Sequence, residues 1–198
     1  MPAHPGQSLP APSPGAAPPA SARRVVVSLL LGAMVAVALG VYGHAHSPSG
    51  VAVNVAGFTN PQSVKSWLAT AATALAVVQL LTAQAMWGKL PGAPQLASSP
   101  WVASLHRWSG RLAFLAAVPV AAHCLYALGY QGYDTRTLAH SLVGCFFFGA
   151  FISKMLLLRI RRLPGWTLPL IGGLVFTALV TLWLTSALWF FAASGIHY

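Results

Sequence analysis

The sequence predicts an all-α integral membrane protein, a bundle of five transmembrane helices with the N-terminus inside and the C-terminus outside. The composition is 57% hydrophobic and 6% charged, with one acidic residue among 198, and the mean hydropathy is +0.69. A spanning helix needs about 20 mostly apolar residues. Five segments meet that requirement: 25–43, 64–87, 105–129, 138–160 and 166–193. No alternation with a strand period appears, so helices are the predicted spanning elements.

The N-terminal residues 1–22 are rich in Pro, Ala, Ser and Gly, a composition that buries too little apolar surface to fold. They are predicted to be a disordered cytoplasmic tail, followed by a transmembrane domain over 23–198. Arg23 and Arg24 before an apolar run also resemble a signal sequence of the twin-arginine kind, with cleavage after Ala45. That run is longer than a usual signal core of about 7 to 15 residues, which favours a retained first span.

The orientation follows from the positions of the basic residues near the ends of the spans. One side carries Arg23, Arg24, Lys89, Arg107, Arg111, Arg159, Arg161 and Arg162. The other side carries Lys65 and Arg136. This bias predicts an inside N-terminus. The net charge of +10 is explained by topology and by anionic lipid head groups, so the expected partner is the lipid bilayer and no nucleic acid is predicted. The oligomeric state stays open.

His123 and His140 are the most informative pair, because each lies within a predicted span and both are equally distant from the Gln131/Gly132 turn. Ionisable side chains inside a membrane are rare and costly, and they usually mark a site. Imidazole is a common ligand of haem iron, copper and zinc. The sequence therefore predicts a cofactor site at matched depth on the third and fourth spans, near the outer face.

His106 and Lys154 lie toward the inner face and are interpreted separately. His106 is 17 residues before His123, about 25 Å along a helix and about 100° around it. The two cannot share one metal, and a two-haem relay is not predicted. His106 fits interfacial anchoring, with contact to a quinone or a lipid head group as the alternative. Lys154 fits a side chain that extends toward the inner head groups.

Three short segments carry a family resemblance: LHRWSGRLAF, AHC and AHSLVG, all within 105–159. The stretch His106 to Arg111 resembles a helix start found in proteins related to the cytochrome b561 and ferric-reductase-like families. Those families are haem-binding bundles that move electrons across membranes. The second and fifth predicted spans have no mid-span histidine, so the resemblance implies at most one haem b, on His123 and His140. The whole chain is more similar to an uncharacterised bacterial family of five-span proteins, which implies a multi-pass protein of the bacterial cytoplasmic membrane.

The surroundings of the histidine pair have room for a flat ring. Gly144 lies one turn after His140, and Ala127 lies one turn after His123. Arg136, one turn before His140, is predicted to pair with a haem propionate, with plain interfacial anchoring beside Asp134 as the alternative.

Packing between neighbouring spans raises an objection to haem at this position. Sequential helices pack with axes 8 to 10 Å apart, which is narrow for haem between facing imidazoles. A splay at Pro119, or a partner such as His197, is needed to widen the site.

Two other interpretations of the histidines stay open. In one, His44 and His46 of the first outer loop join His123, His140 or His197 around copper or zinc. In the other, the histidines are structural and the protein is a cofactor-free assembly partner. Catalysis by a nucleophile and base is not indicated, because Asp134 is the one carboxylate. If the chain is an enzyme, it is a haem-dependent membrane oxidoreductase component, with an unidentified redox partner or quinone.

Overall fold

The computed structural model of the chain describes residues 19–52, 54, 57–91 and 93–197, and this part contains helices and no strand. The helices, in chain order, are α1 Pro19–Ala45, α2 Pro61–Met86, α3 Ala93–Ala97, α4 Pro100–His123, π1 Cys124–Leu128, α5 Thr135–Leu157, α6 Thr167–Trp183, π2 Leu184–Leu188 and α7 Trp189–Ser194. The segments π1 and π2 are single π-helical turns that continue α4 and α6. The predicted all-α class is confirmed.

Five helical stretches of the described residues are long and apolar enough to cross a membrane: Ala22–Ala45, Pro61–Met86, Pro100–Leu128, Thr135–Leu157 and Thr167–Ser194. Each agrees with a predicted span to within five residues at either end. α1 begins at Pro19, inside the predicted tail, because proline is tolerated in the first helical turn and alanine is a strong helix former. Residues 1–18 of that tail lie outside the described part of the chain.

Polar caps fix where two of the spans begin. The Asn60 side chain accepts a hydrogen bond from the Ser63 backbone N–H at 2.9 Å, ahead of a proline in the first turn of α2. At α5, Asp134 accepts from the Thr137 backbone N–H at 2.6 Å, and the Thr137 hydroxyl in turn accepts from the Asp134 backbone N–H at 3.3 Å. This reciprocal capping box satisfies donors that a helix start leaves unpaired.

The five spans are not arranged in chain order. α1 packs on α5, α5 packs on α6, α6 packs on α2, and α2 packs on α4. The end of the bundle that holds the 129–134 turn, called here the C-terminal end, is closed by π1 against α1. There the Tyr130 backbone N–H donates to the Gly43 carbonyl at 2.7 Å. Consequently α4 and α5, which follow one another in sequence, pack against different helices: α4 against α2, and α5 against α1 and α6.

Small residues bring α1 and α5 into close contact. A Cβ atom on Gly32 would overlap the Ser153 hydroxyl and the Gly149 carbonyl, and one on Gly149 would lie 2.8 Å from the Ala36 Cβ. The Ser153 hydroxyl also donates to the Ser28 carbonyl at 3.3 Å. Close approach of this kind is how membrane helices associate without a hydrophobic driving force between them.

An amide side chain joins α2 to α4. The Gln79 side-chain amide donates to the His106 carbonyl and to the Ser109 hydroxyl, the latter at 3.0 Å. A Cβ atom on Gly110 would lie 3.0 Å from the Gln79 side chain, so glycine is needed for this approach. Interhelical hydrogen bonds therefore supplement small-residue packing in this pair of helices.

Aromatic side chains fill the middle of the gap between α4 and α5. The Phe114 ring of α4 stacks on the Phe151 ring of α5 with centroids 4.2 Å apart, and it meets Phe148 edge-on at 6.1 Å. Phe147, 3% exposed, belongs to the buried core with Ala178 and Leu179 of α6. Toward the C-terminal end, beyond these rings, the gap between α4 and α5 widens into a cavity.

Candidate functional site

The cavity lies in the C-terminal half of the bundle and has a volume of about 340 Å³. Its walls come from α2, from α4 with π1, from α5, and from α6 with π2. Both π-helical turns border it, and π-helical turns are rare elements that frequently occur at functional sites. The sequence raised the objection that α4 and α5, as sequential helices, would pack too closely to leave such a space. In the structure α4 packs mainly on α2, and α5 packs mainly on α1 and α6, so a space remains between them that His197 does not line.

The cavity is lined by three basic side chains, of which Lys65 and Arg136 are cations. Lys65 comes from α2, and Arg136 and His140 come from α5, whereas no acidic side chain lines the cavity among the described residues. The remaining polar lining includes Gln62, Ser66, Thr73, Gln131, Thr137, Ser141, Thr185 and Ser186. Apolar walls with a few convergent cations fit an amphipathic ligand that carries negative charge.

His140 is held by Thr185 of π2. Their Nδ1 and Oγ1 atoms are 3.0 Å apart, and the Thr185 hydroxyl donates its one proton to the Thr181 carbonyl at 2.7 Å. The hydroxyl therefore accepts from His140, and Nδ1 carries the proton. In a neutral imidazole this leaves a lone pair on Nε2, the state that accepts a hydrogen bond or binds a metal.

Arg136 is engaged by three partners of the protein itself. Its guanidinium donates to the Thr185 carbonyl at 2.8 Å, lies over the Trp189 ring at 3.9 Å from the centroid, and pairs with the Asp134 carboxylate at 3.8 Å. Arg136 therefore lies beside Asp134, as its anchoring role in the sequence analysis assumed. The pairing with a propionate stays a prediction.

His123 does not line the cavity that His140 lines. The cavity face of this part of the chain includes Ala117, Val120, Ala121 and Cys124, a helical repeat of three to four residues. His123 directly precedes Cys124 and so points about 100° away around the helix. Of the predicted haem site, the structure brings His140, Arg136 and Gly144 to one cavity but leaves His123 outside its lining.

The histidines predicted to bind copper or zinc are likewise not brought together. The His46 ring lies between those of Tyr42 and Tyr126, with each centroid 5.1 Å away, and its Nε2 lies 3.1 Å from the Tyr126 carbonyl. His44 meets the Tyr130 ring edge-on, and His197 binds the Ser194 carbonyl at the exposed chain end. Within the described ranges, no three His, Cys or acidic side chains are grouped to hold a metal ion.

His106 repeats the hydrogen-bonding pattern of His140 near the other end of the bundle. Its Nδ1 lies 2.9 Å from the Thr82 hydroxyl, which donates to the Val78 carbonyl at 2.7 Å. The same tautomer follows, with the proton on Nδ1. A quinone or lipid contact at His106 stays a prediction.

Sequence reasoning missed several residues of the cavity. Lys65 was interpreted through topology alone, Cys124 and Cys145 were not assigned to a site, and Thr185 was not singled out. A threonine within an apolar run is the signal that would have found Thr185, whereas Lys65 is the second residue of the predicted span and resembles any interfacial lysine. Their shared cavity depends on the helix arrangement, which the local pattern does not specify.

A comparison with family models places the chain in a family, and two further comparisons found nothing. No curated protein and no solved structure matches significantly. The family model covers residues 25–198, which includes the last four spans whole and the first span from its fourth residue onward. This protein therefore belongs to a family of unknown function, DUF6529.

Proposed function

We propose that this multi-pass membrane protein binds haem b in the cavity between α4 and α5, through Nε2 of His140, and carries electrons. One observation carries the proposal: His140 Nδ1 lies 3.0 Å from the Thr185 hydroxyl, which also contacts the Thr181 carbonyl of its own helix. We assign the proton to Nδ1 on this network, which leaves the Nε2 lone pair for a metal. A metal-binding histidine almost always donates its other ring N–H to a fixed acceptor. His140 has an arrangement of this kind with Thr185.

The chemistry of the cavity fits the proposed group. Haem b has a flat apolar ring and two propionates. Gly144, Ala117 and Ala121 leave flat space, the phenylalanine side chains supply apolar walls, and Lys65 and Arg136 supply positive charge. Bound haem would supply one-electron redox chemistry that the side chains of this chain lack. The residues themselves hold the ring, orient His140 and exclude water.

His140 lines the cavity and His123 does not, so His140 is the histidine of the pair that would hold the haem iron. A haem held by one histidine would be high-spin in its ferrous state and would bind carbon monoxide readily, whereas a haem held by both His123 and His140 would be low-spin and slow to react. Spectroscopy therefore separates the two ligand sets directly.

The test is the reduced-minus-oxidised visible spectrum of the detergent-purified full chain, expressed with a haem supply. We expect a Soret band in the wild type and in His123→Ala, and its loss in His140→Ala. Added imidazole should restore the band in His140→Gly, which controls for misfolding. His46→Ala serves as a matched control, since that ring packs between two tyrosines outside the cavity.

Two results would overturn the proposal. One is a folded, colourless wild type, for which metal analysis then decides between copper or zinc and no cofactor. The other is a Soret band of full intensity in His140→Ala.

A further inference from the structure

We infer that Lys65 is the carboxylate-binding residue of the cavity, and that the ligand is an amphipathic molecule with an acidic head group. Lys65 lies in the second turn of α2, is partly buried and lines the cavity together with Arg136 and His140. The inference rests on the cavity of the proposed function but not on the identity of its ligand as haem.

The acidic side chain of this protein does not compensate Lys65. Asp134 is the one acidic residue of the chain, and its carboxylate caps α5 and pairs with Arg136. The Lys65 ammonium has no ion pair or hydrogen bond within the described residues. A cation beside the apolar walls of a cavity is costly unless an anion or a set of polar partners compensates it. A ligand carboxylate in the cavity would provide that compensation.

The two cations of the cavity are not equivalent. The Arg136 guanidinium is committed to the Thr185 carbonyl, the Trp189 ring and the Asp134 carboxylate. Its position is therefore set before a ligand arrives, and it contributes a fixed positive potential. Lys65 has a flexible side chain with three donors. Lys65 is accordingly the group that moves onto an incoming acid.

A carboxylate at this place has two sources, and the chemistry is the same for both. One is a propionate of haem, and the other is the head group of a free long-chain fatty acid from the membrane. In either case the apolar part of the ligand lies toward Phe147 and Phe148, at the inner limit of the cavity. The acid group then faces the C-terminal end, where Lys65 and Arg136 lie.

Binding is measured on the full chain in detergent micelles, at a mildly alkaline pH that keeps a carboxylic acid ionised. Trp183 and Trp189 line the cavity, so a ligand that quenches their fluorescence reports its own occupancy. The first arm compares dibromostearic acid with its methyl ester. The second arm compares haem b with its dimethyl ester. Each ester keeps the apolar body of the ligand and removes the negative charge, so the ratio of acid to ester affinity isolates the contribution of the carboxylate.

Three variants complete the design. Lys65→Gln should lower the affinity for the acid about ten-fold or more and leave the ester unchanged, because a charge-assisted hydrogen bond is lost. Lys65→Arg should keep the preference for the acid. Lys89→Gln, which removes an exposed lysine at the opposite end of the bundle, should behave as the wild type.

The outcomes separate this inference from the proposed function. A Lys65-dependent preference for the acid in either arm supports the inference, including the case in which the protein is colourless and binds the fatty acid alone. No preference for the acid in both arms, or a preference that survives Lys65→Gln, overturns it and assigns Lys65 to the head-group region of the bilayer. Loss of the Soret band in His140→Ala is read independently and bears on the haem proposal alone.

Discussion

His140 and Thr185 form a hydrogen bond across α5 and π2 that determines which imidazole nitrogen carries the proton. The Thr185 hydroxyl donates to the Thr181 carbonyl of its own helix at 2.7 Å and therefore accepts from His140 Nδ1 at 3.0 Å. A threonine that uses its proton within the helix is a fixed acceptor for a neighbouring helix. The cavity is thus lined by an imidazole of defined tautomer.

Replacing Thr185 by valine should weaken cofactor binding without removing the ligand. The variant keeps the shape of the side chain and deletes the acceptor, so His140 loses the bond that fixes its tautomer and ring orientation. Partners of metal-binding histidines typically contribute 10 to 100-fold in affinity, and we expect a haem affinity lower by about that factor in Thr185→Val.

The measurement is a haem titration followed at the Soret band. Thr185→Ser should bind as the wild type does. Thr181→Val removes a hydroxyl that donates only within its own helix and should also leave binding unchanged. Equal affinity in Thr185→Val and the wild type would contradict the role assigned to Thr185.

Gln79→Leu should destabilise the contact between α2 and α4. The Gln79 amide donates to the His106 carbonyl and the Ser109 hydroxyl, and interhelical hydrogen bonds in membranes contribute about 0.6 kcal/mol on average, with larger values near 1.7 kcal/mol. We expect a loss of about 1 kcal/mol in the free energy of unfolding, measured by denaturation with sodium dodecyl sulfate in mixed micelles. Gln84→Leu is the matched control, since the Gln84 side chain has no such bond within the described residues.

Gly32→Ala should be strongly unfavourable. The added Cβ would overlap the Ser153 hydroxyl and, more seriously, the Gly149 backbone carbonyl, which cannot rotate away. Overpacking of this kind typically lowers stability by about 1 to 3 kcal/mol, and we expect a lower thermal midpoint. In contrast, a Cβ at Gly173 of α6 meets nothing within 4 Å, so Gly173→Ala should preserve or raise the midpoint. A Gly32→Ala protein as stable as Gly173→Ala would disprove the close crossing of α1 and α5.

Asp134 makes stability depend on pH in the acid range. The pKa of the Asp134 carboxyl lies below its usual value near 3.8. The main cause is the hydrogen bond from the Thr137 backbone N–H, and the Thr137 hydroxyl and the Arg136 charge act in the same direction. A lowered folded-state pKa gives stability that is fully present above the unfolded pKa and is lost as the pH falls through the folded pKa. We expect the thermal midpoint to decline below about pH 4 in the wild type.

The control for this prediction is Asp134→Asn, which keeps a good helix cap and removes the charge. The thermal midpoint of this variant should fall less between neutral and acid pH than that of the wild type. An identical decline in both proteins would show that other groups dominate.

Much of the fold follows from the sequence, because membrane spans are set by length and hydropathy, which local composition reports directly. The bounds of the five spans agree with prediction for this reason. The neighbours of each span do not follow, since most lipid-facing and protein-facing positions are equally apolar. The spacing of Ser28, Gly32, Ala36 and Gly40 at intervals of four marks one face of α1 as a contact, yet nothing in that segment identifies α5 as its partner.

The sequence predicts the level of the candidate site along the helices, but it does not predict which side of each helix faces the cavity. Counting residues from the Gln131/Gly132 turn placed His123 and His140 at the same level, and that level is where the cavity lies. Counting does not give the direction in which a side chain points around its helix, so Cys124, not His123, came to line the cavity. Thr185 is 45 residues from His140, and a pairing over that distance depends on how α5 and α6 meet.

The crossing of Gly32 and Gly149 also constrains the order in which the protein assembles. Synthesis reaches Gly149 only after 117 further residues, roughly 6 to 23 s at 5 to 20 residues per second. Until then α1 lacks its main partner, α5, and its spanning window has the highest mean hydropathy of the five, 2.5, which favours its stability in lipid. The first helix made is thus packed late, and the α1/α5 and α2/α4 pairs are joined through α6 only when the fifth span reaches the membrane.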